Sequence, residues 1–199
     1  MGKAAYNPRF GQIIKTDAGG AVDWDFIAHY TIVAADAVAA GAANVLVSTV
    51  LLAAPATILP VGMAAQPPTP RVLSITGNAA TVAGNVVING TDASGAVIAD
   101  TIISAGAATV LGVKAFATVT SIVLPIAVDP ADAISVGFSD KFGIPFMLPY
   151  AGAVLAIINN GTATTVAATS SFSATVLADN FIDPTAALAG AQVDVYMIV

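Results

Sequence analysis

Residues 71–143 read RVLSITGNAATVAGNVVINGTDASGAVIADTIISAGAATVLGVKAFATVTSIVLPIAVDPADAISVGFSDKFG, and this stretch decides the fold. Short runs of Val, Ile and Thr alternate with turn-forming pairs such as Gly77-Asn78 and Asn89-Gly90. Val, Ile and Thr favour strands, whereas Gly, Asn and Asp favour turns. The stretch holds no His, Cys or Glu. It therefore predicts a β surface that carries no chemistry of its own.

The spacing of the turns predicts individual strands. Residues 86–103, VVINGTDASGAVIADTII, predict a β-hairpin because alternating apolar residues flank a connection rich in Gly, Asp and Ser. Residues 31–43 fit either a short Ala-rich helix or a strand followed by a loop. Asp183-Pro184 predicts a single helical turn over residues 185–188. Further strands are expected at 44–59 with a break near Pro55, and at 71–76, 107–110, 119–124, 133–136, 153–158 and 192–199.

Strands this short at near-regular spacing predict an all-β fold, an antiparallel sandwich or barrel-like domain with at most short helices. We expect this β-rich domain over residues 31–199, after an N-terminal arm over 1–30. The arm holds half of the basic residues and either reaches a neighbouring subunit or packs on its own domain. Residues 67–70, Pro-Pro-Thr-Pro, predict either a sub-boundary near 66–70 or a stiff crossing between two sheets.

The composition is unusually poor in charge. Hydrophobic residues make up 57% and charged residues 9% of the chain, against about 25% charged residues in typical soluble domains. Such a chain either lies in a membrane or buries its surface against protein partners. Residues 37–70 carry no charge, but Gly41, Pro55 and Pro60 interrupt them. A spanning helix needs about 20 predominantly apolar residues, so we expect protein partners and no membrane.

The charges that remain exclude further classes of partner. Twelve acidic residues, all Asp, outweigh six basic residues and give a net charge of −6. Because the basic residues are scattered and form no stripe, we expect no direct binding of nucleic acid. The start of the chain, MGKAAYNPRFGQIIKTD, lacks the apolar segment of a signal peptide. Without cysteine, the chain has neither disulfides nor thiolate metal sites.

No motif predicts a reactive site. His29 follows Asp23 and Asp25, but a hydrolytic triad also needs a nucleophile, and Ser94 in DASGA lacks the first Gly of G-x-S-x-G. We interpret His29 as a structural or interface residue. The pairs Asp23/Asp25 and Asp129/Asp132 offer too few ligands for an EF-hand, so turn and cap roles explain them better than a shared calcium ion.

The glycines of the central stretch lack the order of a phosphate-binding loop. Lys141 is interpreted as a solvated lysine beside Asp140. The sequence therefore predicts no catalytic, cofactor-binding or metal-binding residues. We expect a protein that is not an enzyme and that has no cofactor and no small-molecule substrate.

Three segments carry a resemblance to a known class of proteins: GNVVINGTDASGAVIADTI at 84–102, VKAFATVTSIVLP at 113–125 and DAISVGFSDKFGIP at 132–145. The pattern resembles small structural proteins of tailed-bacteriophage virions, typically those associated with the head. The resemblance covers somewhat over a third of the chain. It implies a structural role, most plausibly decorating or cementing the capsid shell, and it carries over no catalytic residue.

The resemblance and the composition together give a functional hypothesis. We expect a capsid decoration protein on the virion exterior, assembled in the host cytoplasm. Its partners would be the major capsid protein and copies of itself, with a trimer favoured and the arm over 1–30 gripping the shell. The alternatives are a tail component, as a tube, terminator or baseplate protein, and a surface β adhesin.

Overall fold

The computed structural model describes residues 14–15, 21–22 and 26–199. Most of the predicted arm over residues 1–30 lies outside the described residues, together with Asp23 and Asp25. Within them, β1 (Ile14–Lys15) and β2 (Ala21–Val22) form a small antiparallel hairpin. Residues 27–30 of the predicted arm lie in the next strand, β3 (Ile27–Ile32).

Strands are the main regular element of the rest of the described chain, which confirms the predicted all-β class. Its regular elements, besides three single-turn 3₁₀ helices at Pro60–Gly62, Ala151–Ala153 and Leu177–Asp179, are β4 (Gly41–Val50), β5 (Ala56–Ile58), β6 (Arg71–Gly77), β7 (Asn85–Thr91), β8 (Val97–Ile103), β9 (Thr109–Phe116), β10 (Thr118–Leu124), β11 (Ala133–Gly143), β12 (Val154–Asn159), β13 (Thr162–Thr164), β14 (Phe181–Ile182) and β15 (Val193–Ile198). No helix among the described residues has the length and apolarity to cross a bilayer.

Two antiparallel sheets enclose the first hydrophobic core. The β7 sheet has the order β5-β10-β7-β8, and the β6 sheet has the order β14-β11-β6-β9, with β4 also paired to β11. Side chains from both sheets are buried between them, among them Leu73, Ile88, Phe116, Ile122 and Ile134. Alternate residues of each strand face this core because successive side chains of a strand point to opposite faces. The arrangement is sandwich-like.

A third sheet builds a second core. This β15 sheet has the order β13-β12-β15-β3. Ile157, Val195 and Met197 pack there against Phe142 and Leu148. The last strand lies between β12 and β3, which confirms that residues 192–199 close a sheet.

β11 contributes to both cores. Its first half places Ile134, Val136 and Phe138 in the first core, and Phe142 lies in the second. The sequence predicted a strand only over 133–136, which was too short. The polar run Ser139-Asp140-Lys141 lies within β11, at a shift in the pairing of β11 with β6 between Phe138 and Phe142. β9 is likewise longer than the predicted 107–110.

The predicted hairpin is confirmed. β7 and β8 pair through seven consecutive residues from Asn85↔Ile103 to Thr91↔Val97. The buried Asp92 carboxylate accepts hydrogen bonds from the backbone N–H groups of Ser94 (2.8 Å) and Ala96 (3.1 Å), which folds the connection. Gly95 has φ 84°, a conformation in which a side chain would be strained.

Two local predictions concern segments without strong periodicity. Residues 31–43 form the end of a strand followed by a loop and not an Ala-rich helix, since β3 ends at Ile32 and a loop leads to β4.

The helical turn predicted over 185–188 was wrong. Pro184 forms a bridge with Val166, and the Thr185 N–H bonds the Thr165 carbonyl, so the segment begins beside residues 165–166 and forms no helical turn. Residues 63–70 carry the chain from β5 in one sheet to β6 in the facing one.

Candidate functional site

His29 meets an acidic partner that the sequence did not indicate. Pairing of β3 with β15 places Tyr196 opposite His29 and Asp194 opposite Thr31. His29 Nε2 lies 2.9 Å from Asp194 Oδ1, and the His29 ring stacks on Tyr196 with centroids 4.5 Å apart. Because 165 residues separate His29 from Asp194, only the strand register reveals the pair.

The cluster around His29 does not have the geometry of a hydrolytic triad. Thr31 Oγ1 donates to Asp194 Oδ1 at 2.7 Å and lies 3.1 Å from the same His29 Nε2 atom that contacts the carboxylate. In a triad, the acid and the nucleophile contact different ring nitrogens. Hydrogen bonds from Thr31, His29 and Gln192 lower the pKa of Asp194. The arrangement ties the edge strand β3 to β15.

Asp129 and Asp132, paired in the sequence analysis, differ in their surroundings. Asp132 is 1% exposed and accepts hydrogen bonds from Thr81 Oγ1 (2.6 Å) and from the N–H groups of Asp129 (2.9 Å) and Val128 (3.2 Å). Asp129 is exposed. A loop-capping carboxylate of this kind is the turn role that the sequence predicted. No group of three or more metal-ligating side chains occurs in the part of the chain that the structure describes.

Arg71 is the largest fully buried side chain among the described residues. Its Nε donates to the Ser139 carbonyl at 2.9 Å and its Nη1 to the Val38 carbonyl at 2.9 Å, while its guanidinium lies 5.7 Å from the centre of the Phe138 ring. Burial lowers the pKa of Arg71 to about 10, against the raising effect of Asp140. The cation therefore persists at neutral pH and joins the loop before β4 to β11.

A groove opens on the outer face of the β6 sheet. It has a volume of about 410 Å³, and Ser74, Thr109, Asp140, Lys141 and Asp183 line it. Lys141 is no solvated lysine, because only 13% of its side chain is exposed. Its Nζ donates to the Thr169 carbonyl at 3.0 Å and lies 3.7 Å from Asp183 Oδ2. The interpretation of Lys141 from the sequence was therefore wrong, since the long β11 carries it under the 165–185 segment.

On the opposite side of the sandwich, the described strands present no charged side chain. Residues 37–113 contain three charged side chains, and all three, Arg71, Asp92 and Asp100, are at most 6% exposed. β10 contains no charged residue either. The outward residues of β5, β7, β8 and β10 therefore form a surface without charged residues, which we call the neutral face. On β8 it presents Val97, Ala99, Thr101 and Ile103, and on β7 it presents Asn85, Val87, Asn89 and Thr91.

Polar groups of the neutral face bond to one another rather than to solvent alone. Thr91 Oγ1 lies 2.7 Å from Thr118 Oγ1, and Asn89 Nδ2 donates to Ser121 Oγ at 3.0 Å. Apolar side chains lie between these pairs, and Val97 is 86% and Ile103 66% exposed. Such a surface costs little to desolvate, because few of its groups lose strong hydration on contact.

Comparison of the chain with protein-family models, curated proteins and solved structures finds no match. The geometry of the described residues therefore has to carry the functional argument. Two surface features stand out: the groove with charged residues and the neutral face. The neutral face differs more from the surface of a typical soluble protein, because it lacks charged residues.

Proposed function

We propose that this chain is a non-enzymatic structural subunit of a bacteriophage virion, which decorates or cements the capsid shell through protein–protein contacts. The neutral face is the observation that carries the proposal. A typical soluble domain has about 25% charged residues, and charges on the surface keep free proteins apart. A four-stranded sheet with no outward charge is suited to permanent burial against other proteins.

The position of the neutral face within the fold supports the same function. Its strands belong to the continuous hairpin register of β7 and β8 and to β10, which rest on the first core. A face held by a packed core presents a preorganised surface, so binding it requires little ordering of side chains. Addition of such a subunit stabilises a shell because new area is buried between neighbouring capsid proteins.

The proposal is tested by placing charge on the neutral face. We expect the variants Thr101→Lys and Thr120→Lys, both at exposed positions, to bind purified shells of the major capsid protein from the same genome at least about tenfold more weakly. A buried, unpaired ammonium group costs more than the 1.4 kcal/mol that corresponds to this factor. Binding is measured by co-sedimentation with the shells.

Matched controls carry the same change on the β15 sheet. Leu155→Lys and Thr162→Lys lie at exposed positions of β12 and β13 and are expected to bind as the wild type does. Equal binding by the neutral-face variants and the wild type would contradict the proposal. Closed rings of the isolated protein in electron micrographs, without affinity for shells, would favour a tail component instead.

A further inference from the structure

We infer that β8 pairs edge to edge with β8 of a second copy of this chain, in antiparallel orientation about a two-fold axis. The inference goes beyond the proposed function, because the contact forms without a capsid shell. The pairing joins the four-stranded β7 sheets of two copies into one eight-stranded sheet. The neutral faces of both copies then lie side by side and stay free to contact other proteins.

The hydrogen bonds of the β7–β8 hairpin show which backbone groups of β8 are free. The Asp92 N–H bonds the Ala96 carbonyl at 3.0 Å and the Ser104 N–H bonds the Gly84 carbonyl at 2.9 Å, so a bonded pair continues the register at each end. Bonded and non-bonded pairs alternate along an antiparallel pair of strands, so the even-numbered residues of β8 bond β7. β8 pairs with no other strand in the described part of the chain. The N–H and carbonyl groups that point to its open edge are those of Val97, Ala99, Thr101 and Ile103.

β8 lacks the features that protect other strand edges of the sandwich. Proteins usually block an edge strand by short length, proline, lysine or a bulge. β5, at the other end of the same sheet, has three residues and is flanked by Pro55 and Pro60. β9, in the facing sheet, has a shift in its pairing with β6 between Leu111 and Ala115, and Lys114 lies in it. β8 has seven residues in regular register and contains neither proline nor a basic residue, so its edge is open to a further strand.

The exposed side chains along β8 are complementary to the same strand in a second copy. Val97 is 86% and Ile103 66% exposed, and they lie at equal distances on either side of Asp100. A two-fold axis at Asp100 places Val97 of one copy opposite Ile103 of the other, and Ala99 opposite Thr101. These four pairs use the free backbone groups and exchange about eight hydrogen bonds. The two most exposed apolar side chains of the strand thereby cover each other.

The surroundings of β8 favour a second copy over a lone extended peptide. Val113 of β9 is 63% exposed, and its N–H donates to Asp100 Oδ2 at 2.8 Å, so it lies beside β8 in the facing sheet. A peptide added to β8 covers the edge of one sheet, whereas a second copy brings its own β9 and covers Val113 as well. Residues 93–128 contain two charged residues, the buried Asp100 and Lys114. The negative charge of the two copies therefore lies mainly away from the contact.

The first test blocks the open edge without breaking the hairpin. Proline is tolerated in an edge strand where the missing N–H faces outward, and the Ala99 N–H faces away from β7. We expect Ala99→Pro to self-associate at least about tenfold more weakly than the wild type in sedimentation velocity of the full-length protein without shells. Ala99→Ser keeps the N–H and should associate as the wild type does. Circular dichroism confirms that both variants fold.

Introduced cysteines test the register directly, because the chain has none of its own. A mixture of Val97→Cys and Ile103→Cys should form a disulfide-linked pair on mild oxidation, since the Cα atoms of a bonded pair lie about 5.5 Å apart, within the reach of a disulfide. Val97→Cys alone should form far less, because the two copies of that position are about 20 Å apart. A mixture of Ile103→Cys with Val61→Cys, an exposed residue beyond β5, controls for random collision.

Asp100 provides a further readout of the register. The two-fold axis places the Asp100 residues of both copies opposite each other, and like charges directly opposite weaken a strand pair. We expect Asp100→Asn, whose amide oxygen still accepts from the Val113 N–H, to associate more tightly than the wild type. Association that is equal or weaker would contradict this register.

The outcomes separate this inference from the proposed function. Unchanged association of Ala99→Pro, or no excess of the disulfide between positions 97 and 103 over the control, overturns the inference. Thr120→Lys lies on β10, away from the edge, and should associate as the wild type does even where it fails to bind shells. A monomeric wild type that binds shells overturns the inference alone. Hydrogen exchange of the Ala99 and Ile103 N–H groups should slow as concentration rises; slow exchange at every concentration would mean that the chain's own residues cover the edge, and would overturn it.

Discussion

At the scale of single residues, the buried polar side chains of this protein act as ties between segments that are distant in sequence. Asn180, which is fully buried, accepts a hydrogen bond from the Leu148 N–H at 2.9 Å and donates to the carbonyls of Ser173 and Val176, both at 2.8 Å. Arg71 ties the loop before β4 to β11, and Asp132 closes the loop before β11. Each satisfies backbone groups that would otherwise be buried without partners.

Asp132 makes the stability of the protein dependent on acid. Its hydrogen bonds to Thr81 and to the Asp129 and Val128 N–H groups lower its pKa in the folded state. The stabilisation is therefore present above the ordinary pKa of an aspartate, and it is lost as pH falls through the lower, folded pKa. We expect Asp132→Asn to be less stable than the wild type at pH 7 and to lose less stability between about pH 5 and pH 2.

Urea unfolding at a series of pH values measures this effect. Asp129→Asn, which changes an exposed carboxylate on the same loop, serves as the control and should leave the pH profile nearly unchanged. If Asp132→Asn and the wild type lose stability in parallel as pH falls, the capping role assigned to Asp132 is wrong.

The turn role of Asp132 could be predicted from the sequence because it depends on neighbours within a few residues. The same holds for Asp92 in its hairpin. The contact of His29 with Asp194, the buried position of Arg71 and the partial burial of Lys141 could not be predicted, because each depends on strand register or on a segment that arrives from another part of the chain. The neutral face was partly visible, since residues 37–70 lack charge, but its extension over β7, β8 and β10 required knowing which way each side chain points.

At the scale of elements, β10 shows how a side chain can take the place of a neighbouring strand that is too short. β5 pairs with β10 only along Ile122 to Leu124. Further along the same strand, the amide of Gln66 takes the place of a neighbouring strand. Gln66 Oε1 accepts from the Val119 N–H at 2.7 Å, and its Nε2 donates to the Val119 carbonyl at 3.1 Å. The side chain thereby covers the backbone groups that β5 does not reach.

Removal of this amide should destabilise the protein. We expect Gln66→Ala to lower the free energy of unfolding by about 1–3 kcal/mol, because the N–H and carbonyl of Val119 lose their partners. Gln192→Ala is the control, since Gln192 makes one exposed hydrogen bond to Asp194, and it should change stability by less than about 0.5 kcal/mol. Denaturant unfolding measures the free energy of unfolding of both variants. Equal free energies for Gln66→Ala and Gln192→Ala would show that Gln66 does not support β10.

At the scale of the whole molecule, β11 joins the two hydrophobic cores. The sequence predicted one β-rich domain over residues 31–199 and left open either a sub-boundary near 66–70 or a stiff crossing between two sheets. The structure shows two cores that share a strand. Because Phe138 and Phe142 lie on the same strand but in different cores, neither core can lose its packing without disturbing the other. We therefore expect residues 26–199 to unfold as one cooperative unit.

Calorimetry on a matched pair of substitutions tests this cooperativity. Ile134→Val in the first core and Ile157→Val in the second remove one buried methylene each, at a cost of about 0.5–1.5 kcal/mol. Both should lower the same single transition by about 2–4 °C per kcal/mol, and Ile103→Val on the exposed surface should leave it unchanged. Two separate transitions, each moved by one variant alone, would show that the cores are independent.

The neutral face also determines how two free copies of the protein approach each other in solution. Such a molecule has two unlike sides, one with repulsive charge and one without charge. Its encounters are oriented, since net negative charge turns the charged sides of two approaching copies away from each other and leaves the neutral sides to touch. Added salt screens the repulsion between the charged sides beyond about 10 Å at 0.1 M, so that copies come into contact more often. The purified protein should therefore precipitate more readily as salt rises.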